Sequence, residues 1–446
     1  MLRCASSFVI AAYAKVRLTP QDSRALPAAF LRSRPTFTTF KTFYVVVNLQ
    51  DDGVVMRSFR TRFVLILAFF SVLTPFFLIS ESTLFAAVGS DKGEARPIWD
   101  EGIAYLFAML KIKDSSFDVQ KVSGLLDFVV SEKGGGANLD PGKRENATGA
   151  YFFSDVKAPL SKVIKYAYNP KIPAYVTLPS VVRLGGWQVK PTGPVANLWE
   201  KIGDVKTPLM IRGIEYEEIT PDLTTGAYYR YDMDRLMVLL KYRGKDFFIS
   251  VTRQIHPSTV GRQGVIIGPD SDWNYFYSGQ KGLNKAGLGW VSSYMYDASS
   301  VSILFEPGAS KTQTRFVTFK WLRAGWGGIN MVRQENIIEG GKRFASGFKK
   351  VLESLRLPGA EHLIDMYAGI KNLSDQDLTA RLQPIGKALQ KLSRTDPGLS
   401  RSDFRDMIES GKYLLGMSRE ERENLLMSEF MKLAIGKPSF LDKSPL

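Results

Sequence analysis

A single cysteine, Cys4, stands in 446 residues, and it falls within the first few positions. Everything downstream must fold without disulfides, and it has no thiolate to act as nucleophile or metal ligand. Histidine is almost as scarce. His256 and His362 are the two in the chain, so a catalytic triad would have to be built around one of them. The patterns Gly-x-Ser-x-Gly, Gly-x-x-x-x-Gly-Lys-Ser/Thr and His-Glu-x-x-His are missing, which removes the nucleophile elbow, the phosphate-binding loop and the zinc-protease helix. Ser-x-x-Lys occurs at Ser154, Ser278 and Ser346, but without its companion motifs. Asp232-Met233-Asp234 lacks the glycine and glutamate that a calcium loop needs. No block of like charges marks a nucleic-acid arm.

Only one apolar run is long, residues 63–79, and it is informative. Met56 precedes it, Arg57, Arg60 and Arg62 flank it, and Leu84-Phe85-Ala86-Ala87-Val88-Gly89 follows with small residues. That is the layout of a secretory signal peptide spanning 56–87, with a mature chain starting near residue 88. An uncleaved anchor is the rival reading, since the run is at the lower limit for crossing about 30 Å of hydrocarbon. Pro75 and the small-residue tail favour cleavage. Residues 1–55, basic and rich in Ser and Thr, read as a mis-assigned upstream extension rather than an organelle presequence, which would not be expected to precede a second export signal. The expected location is the periplasm or cell envelope of a bacterium. Residues 1–87 hold ten of the 59 basic and four of the 44 acidic residues, leaving residues 88–446 a net charge of +9. Such an excess suits an anionic membrane surface; nucleic acid is not an expected partner.

Three blocks follow. In 88–149, Ile103, Leu106, Phe107 and Leu110, then Val122, Leu125, Leu126 and Val129, recur at helical spacing, ahead of a loop containing Gly134-Gly135-Gly136 and Asp140-Pro141-Gly142. Block 150–357 opens on a helix candidate running from Ser154 or, because Pro belongs in a first turn, from Pro159. A Pro- and Gly-rich passage over 170–194 separates it from residues with a period of two. The segments 236–242 and 247–254 form a β-hairpin about Arg243-Gly244-Lys245-Asp246, with Phe247, Ile249 and Val251 on one face and Ser250, Thr252 and Gln254 on the other. Further strands are expected at 209–219, 228–232, 264–267, 273–277, 290–296, 301–305 and 315–322, with turns at 297–300 and 307–310. An antiparallel meander of this kind commonly keeps one wet and one dry face. A long amphipathic helix at 331–355 should cover the dry one, with Gly340-Gly341 marking a bend or its true start. Block 358–446 reads as a separable helical region, with caps at Ser374 and Ser418 and stops at Asp396-Pro397-Gly398 and Gly436-Lys437-Pro438.

The fold class is therefore α+β, an antiparallel meander gripped by a long amphipathic helix, with an extra C-terminal helical region. Helix, meander and closing helix in that order, with Ala158-Pro159-Leu160-Ser161-Lys162-Val163 and Asn169-Pro170 at the early helix and residues 321–355 running from last strand to last helix, resemble the helix-grip fold of START-like lipid-binding proteins. The irregular stretch before Leu209 departs from that pattern. The resemblance covers about residues 150–356 and implies a cavity between sheet and last helix that holds lipids or other apolar molecules.

Aromatic residues crowd the strand region, and Trp290, Tyr294, Phe319, Trp321, Phe344 and Phe348 are the candidate ligand contacts. No cofactor, metal ligand or catalytic residue is assigned. The expected function is an exported protein that binds an apolar or amphipathic small molecule. The alternatives are a cell-envelope hydrolase using carboxylates among Glu215, Glu217, Glu218, Asp232 and Asp234 near His256, and a structural envelope protein recruiting a partner through its C-terminal helices. Export is directly testable: expression from Met56 should give an exported product whose N-terminal sequence begins near residue 88. Retention in the cytoplasm would refute the signal-peptide reading.

Overall fold

The computed structural model describes residues 97–441 apart from 113–115, 132–138, 193–196 and 286–288. Residues 1–96, which include the expected upstream extension and the expected signal peptide, lie outside the described residues. Two helices, α1 (Ile98–Lys111) and α2 (Ser123–Val130), lead into strand β1 (Thr148–Val156), helix α3 (Leu160–Ala167) and the short α4 (Ala174–Thr177). Strands β2 (Val182–Thr192), β3 (Leu209–Ile219), β4 (Ala227–Tyr228), β5 (Arg230–Tyr242), β6 (Lys245–Gln254), β7 (Arg262–Ile266), β8 (Tyr275–Lys281), β9 (Leu283–Lys285), β10 (Gly289–Val291), β11 (Ser293–Phe305) and β12 (Thr314–Trp326) follow. Helix α5 (Gln334–Leu352) comes next, then α6 (Ala360–Asn372), α7 (Asp375–Leu392), α8 (Ser402–Glu409), α9 (Lys412–Leu415) and α10 (Arg419–Ala434).

Seven strands form one antiparallel sheet in the order β1-β12-β11-β6-β5-β3-β2, so the first strand lies beside the last. A second, three-stranded sheet has the order β4-β7-β8. The β5–β6 hairpin closes through two residues only, Arg243 and Gly244, both at positive φ (47° and 76°). Two left-handed residues make the type I′ turn whose twist matches that of paired strands, and they pin the register.

Alternation then sorts every side chain of the sheet. Leu236, Val238, Leu240, Phe247, Ile249, Val251, Val301, Ile303, Val317, Phe319 and Trp321 share one buried cluster with Trp99, Ile103, Leu106, Leu125 and Leu126 of α1 and α2. Burying a large apolar side chain contributes roughly 1.5–3 kcal/mol, so the N-terminal helices are held by this face. Met237, Leu239, Phe248, Leu304 and Phe316 face the other way, into a cluster with α3, α5 and the C-terminal helices. Both faces are thus covered, in contrast to the expectation of one wet face. The unbroken apolar run 236–240 is the signature of a strand buried on both sides.

Four local expectations are also corrected. Ser154 belongs to β1 rather than to a helix, which begins only after Pro159. The Pro- and Gly-rich passage contains a full strand, β2, at the sheet edge. Residues 297–300 are not a turn but the middle of β11, which passes a bulge at Met295/Asp297 and continues; a bulge bends a strand without ending it. Helix α5 is unbroken at Gly340-Gly341. A Cβ at Gly341 would lie 2.9 Å from the Phe152 ring, so the glycine there lets the helix lie close against β1.

The caps at Ser374 and Ser418 form as the sequence indicates: Ser374 Oγ accepts from the Asp377 N–H, and Ser418 and Glu421 make a reciprocal capping box. The turn at 357–359 does separate α5 from α6, yet buried residues on both sides of it, Phe248 and Phe348 with Leu378 and Leu426, belong to one cluster. Arg183 of β2 ties the two parts together. Its side chain is 4% exposed, and its guanidinium pairs with Glu218 of β3 and, at 2.5 Å, with Glu421 of α10. The same guanidinium lies 3.8 Å over the Tyr277 ring, and Asn424 donates to the Arg183 carbonyl. Arg183→Met should lower unfolding stability by about 3–5 kcal/mol, because two carboxylates lose their buried cation. Urea melts would show it, and adding Glu218→Gln should recover part of the loss.

Candidate functional site

Between the second face of the sheet and α5 lies a cavity of about 420 Å³. Its existence follows from side-chain size. On this face the central strands carry Ser250 and Thr252 (β6), Ser300 and Ser302 (β11) and Thr318 (β12), whereas the opposite face carries Ile249, Val251, Val301, Ile303 and Phe319 at the adjoining positions. Small hydroxyl residues leave unfilled the space that α5 spans. Phe316, Ile337, Phe344 and Phe348 supply an apolar wall, with Phe344 and Phe348 stacked at 5.2 Å and Phe316 against both at 5.1 and 5.9 Å.

The cavity also encloses charge. Glu215 and Glu217 of β3, Arg235 of β5 and Lys320 of β12 line it together. Arg235 donates through Nε and Nη2 to Glu215 Oε2 (2.8 and 2.5 Å) and through Nη1 to Ser250 Oγ (2.7 Å), and it lies 3.9 Å from Glu217 Oε1. Tyr231 donates its hydroxyl to Glu217 Oε2 at 3.0 Å. Burial pushes the Glu215 carboxyl up against the opposing pull of Arg235. It raises the Tyr231 phenol well above the usual range, with Glu217 adding to the effect, and it lifts Tyr168, beside Ser250, to about 12. Burial also lowers the Lys320 ammonium, with Glu217 opposing.

Register explains how these groups meet. Arg235, Thr252, Ser300 and Lys320 are successive cross-strand partners on β5, β6, β11 and β12, so they form one row across the chamber. The two central hydroxyls bond each other at 2.7 Å. With strands about 4.8 Å apart, the two cations are rooted roughly 14 Å from each other.

Of the six aromatic candidates, Phe344 and Phe348 line this cavity. Phe319 and Trp321 do not: they point to the opposite face, where Phe319 meets Trp99 at 5.2 Å and Tyr151 at 4.8 Å, and Trp321 meets Phe107 at 5.9 Å. Alternation along β12 puts Phe316, Thr318 and Lys320 on the chamber side and the bulky rings between them on the other. Tyr294 packs on Tyr296 at 6.1 Å and is not among the cavity residues. Trp290 lies on β10, and its side chain falls outside the described residues. His256 is exposed beyond the end of β6 and is not among the cavity residues that include Glu215 and Glu217. Of the other acids, Glu218 pairs with Arg183 and Asp232 accepts from Gln188. Among the described residues no group of three His, Cys, Asp or Glu side chains is placed to hold a metal ion.

Sequence reading missed Arg235, Tyr231 and Lys320. The available signal was parity: once 236, 238 and 240 are set against the helices, 235 and, through the register, 320 must face the other way. Neither a protein-family model nor a curated protein sequence matches this chain.

The raised Glu215 carboxyl makes a pH prediction with a definite sign. The folded state keeps this proton at a pH where the unfolded carboxyl has lost it, so the group's contribution to stability is present at low pH and is lost as pH rises above 4.5 through the folded value. Urea melts across the acid range should show that slope, and it should flatten in Glu215→Gln. An unchanged slope would mean that other groups set it.

Proposed function

We propose that this protein is an exported carrier or receptor that holds an amphipathic small molecule, lipid-like in having one apolar part and one polar end, between its large sheet and α5. The observation that carries the reading is the chamber itself, whose volume of about 420 Å³ lies within the roughly 300–1,000 Å³ usual for small-molecule sites. One wall is aromatic and aliphatic, and the floor is a row of hydroxyls ended by charged groups. The START-like helix-grip arrangement is supported by the sheet order, in which β1 neighbours β12, and by α5 lying along β1 over the chamber. The export signal at 56–87 and the net positive charge of the remaining chain favour work at an anionic membrane surface, where such ligands partition.

Organic-solvent extraction of the purified protein, followed by mass spectrometry, tests the proposal. Gly340 lines the chamber, and a Cβ placed there would meet nothing within 4 Å. Gly340→Leu should therefore intrude on the chamber and, since glycine in a helix is about 1 kcal/mol worse than a good helix former, melt no lower than the wild type. The wild type should yield a stoichiometric apolar compound and Gly340→Leu much less. A wild type that neither carries nor takes up such a compound would refute the reading.

A further inference from the structure

Six charged side chains line the chamber: Arg343 is paired with Asp270, Asp222 accepts from Thr225 and Ala227, and Arg235, Glu215 and Glu217 answer one another. Arg235 is committed to Glu215 and Ser250 and lies against Glu217, which also accepts from Tyr231. Lys320 makes no hydrogen bond and no ion pair with any described residue, and Glu217 acts on it only by attraction at longer range. Its cross-strand neighbours offer nothing. Ser300 spends its hydroxyl on Thr252, and Ala150 on the β1 side has no polar side chain. Lys320 is part-buried and lines the chamber with Phe316, Ile337, Phe344 and Phe348, where burial lowers its ammonium. A buried cation without a partner is destabilising unless water or a ligand supplies one.

Resting on the chamber reading above, we propose that Lys320 receives the carboxylate of the bound molecule, so that the ligand class is a carboxylic acid with an apolar tail, of the fatty-acid type. A single ammonium can meet a single negative charge. A phosphate dianion would keep excess charge near Glu217, since among the described lining residues Arg235 and Arg343 are already paired with Glu215 and Asp270, and a neutral head would leave Lys320 unanswered. The carboxylate lies at the Lys320 end of the hydroxyl row, with Ser300 beside it, and the tail runs along the aromatic wall of α5. Glu217 is held by the Tyr231 hydroxyl and lies 3.9 Å from Arg235.

The test compares an acid with its ester. Displacement of the neutral fluorescent probe N-phenylnaphthylamine from the purified protein is followed with lauric acid and with methyl laurate, in wild type, Lys320→Met and Lys320→Arg. The wild type should bind the acid at least about tenfold more tightly than the ester, the size of one charge-assisted hydrogen bond. Lys320→Met should erase that preference, and Lys320→Arg should keep it. Equal binding of acid and ester by the wild type, or a preference that survives in Lys320→Met, would overturn the carboxylate assignment and leave the chamber reading standing, because the ester still binds. If neither laurate displaces the probe, the chamber reading falls and takes this inference with it. The wild-type comparison needs no variant, so a failure of Lys320→Met to fold would not remove the test.

Discussion

Everything in this molecule depends on a seven-stranded antiparallel sheet being buried on both faces. Once neither side can face water, the two-residue period of a strand assigns each side chain either to the cluster under α1 and α2 or to the space under α5. A slip of one residue would exchange them, putting Phe319 and Trp321 into the chamber and Lys320 into the apolar cluster. The two-residue turn at Arg243-Gly244 and the uninterrupted β5–β6 pairing hold that register in the middle of the sheet.

The two faces differ in volume more than in position. Branched and aromatic side chains fill the face under the N-terminal helices and form one buried cluster there. Serine and threonine on the reverse of the same strands occupy much less space, while α5 is kept at its distance by Phe344 and Phe348 and drawn toward the β1 edge where Gly341 meets Phe152. The chamber is thus the consequence of small residues facing large ones across a span fixed by contacts at the sheet edge. Its charged groups are expensive to bury, and replacing a buried ion pair by apolar residues often leaves stability unchanged or improved. Arg235 with Glu215 and Glu217 is accordingly weak as a stability device, and its value lies in fixing donors and acceptors around the chamber.

A second buried ionic group acts differently. Arg183 joins β2, β3 and the N-terminus of α10 through Glu218 and Glu421, in an aromatic setting that includes Tyr277. It makes the C-terminal helices part of the structure that carries the sheet, along with Phe276 packed on Phe404 and Tyr413 at 5.3 and 4.7 Å. The sheets and the C-terminal helical region are consequently not energetically independent.

The sequence by itself determined the α+β class, the β5–β6 hairpin, the long helix and the caps at Ser374 and Ser418, because each rests on residues close together in the chain: periodicity, a turn and a hydroxyl three residues from its acceptor. It also supplied two wall residues of the chamber, Phe344 and Phe348, through the apolar stripe of α5. Phe319 and Trp321 drew attention by size, yet size does not say which face a strand residue takes. That depended on where α1, α2 and α5 pack, and those contacts join residues 99 and 107 to 319 and 321, and 152 to 341. Only tertiary structure brought Glu215, Glu217, Arg235 and Lys320 to one chamber, since cross-strand register, not spacing along the chain, sets which charges share a wall.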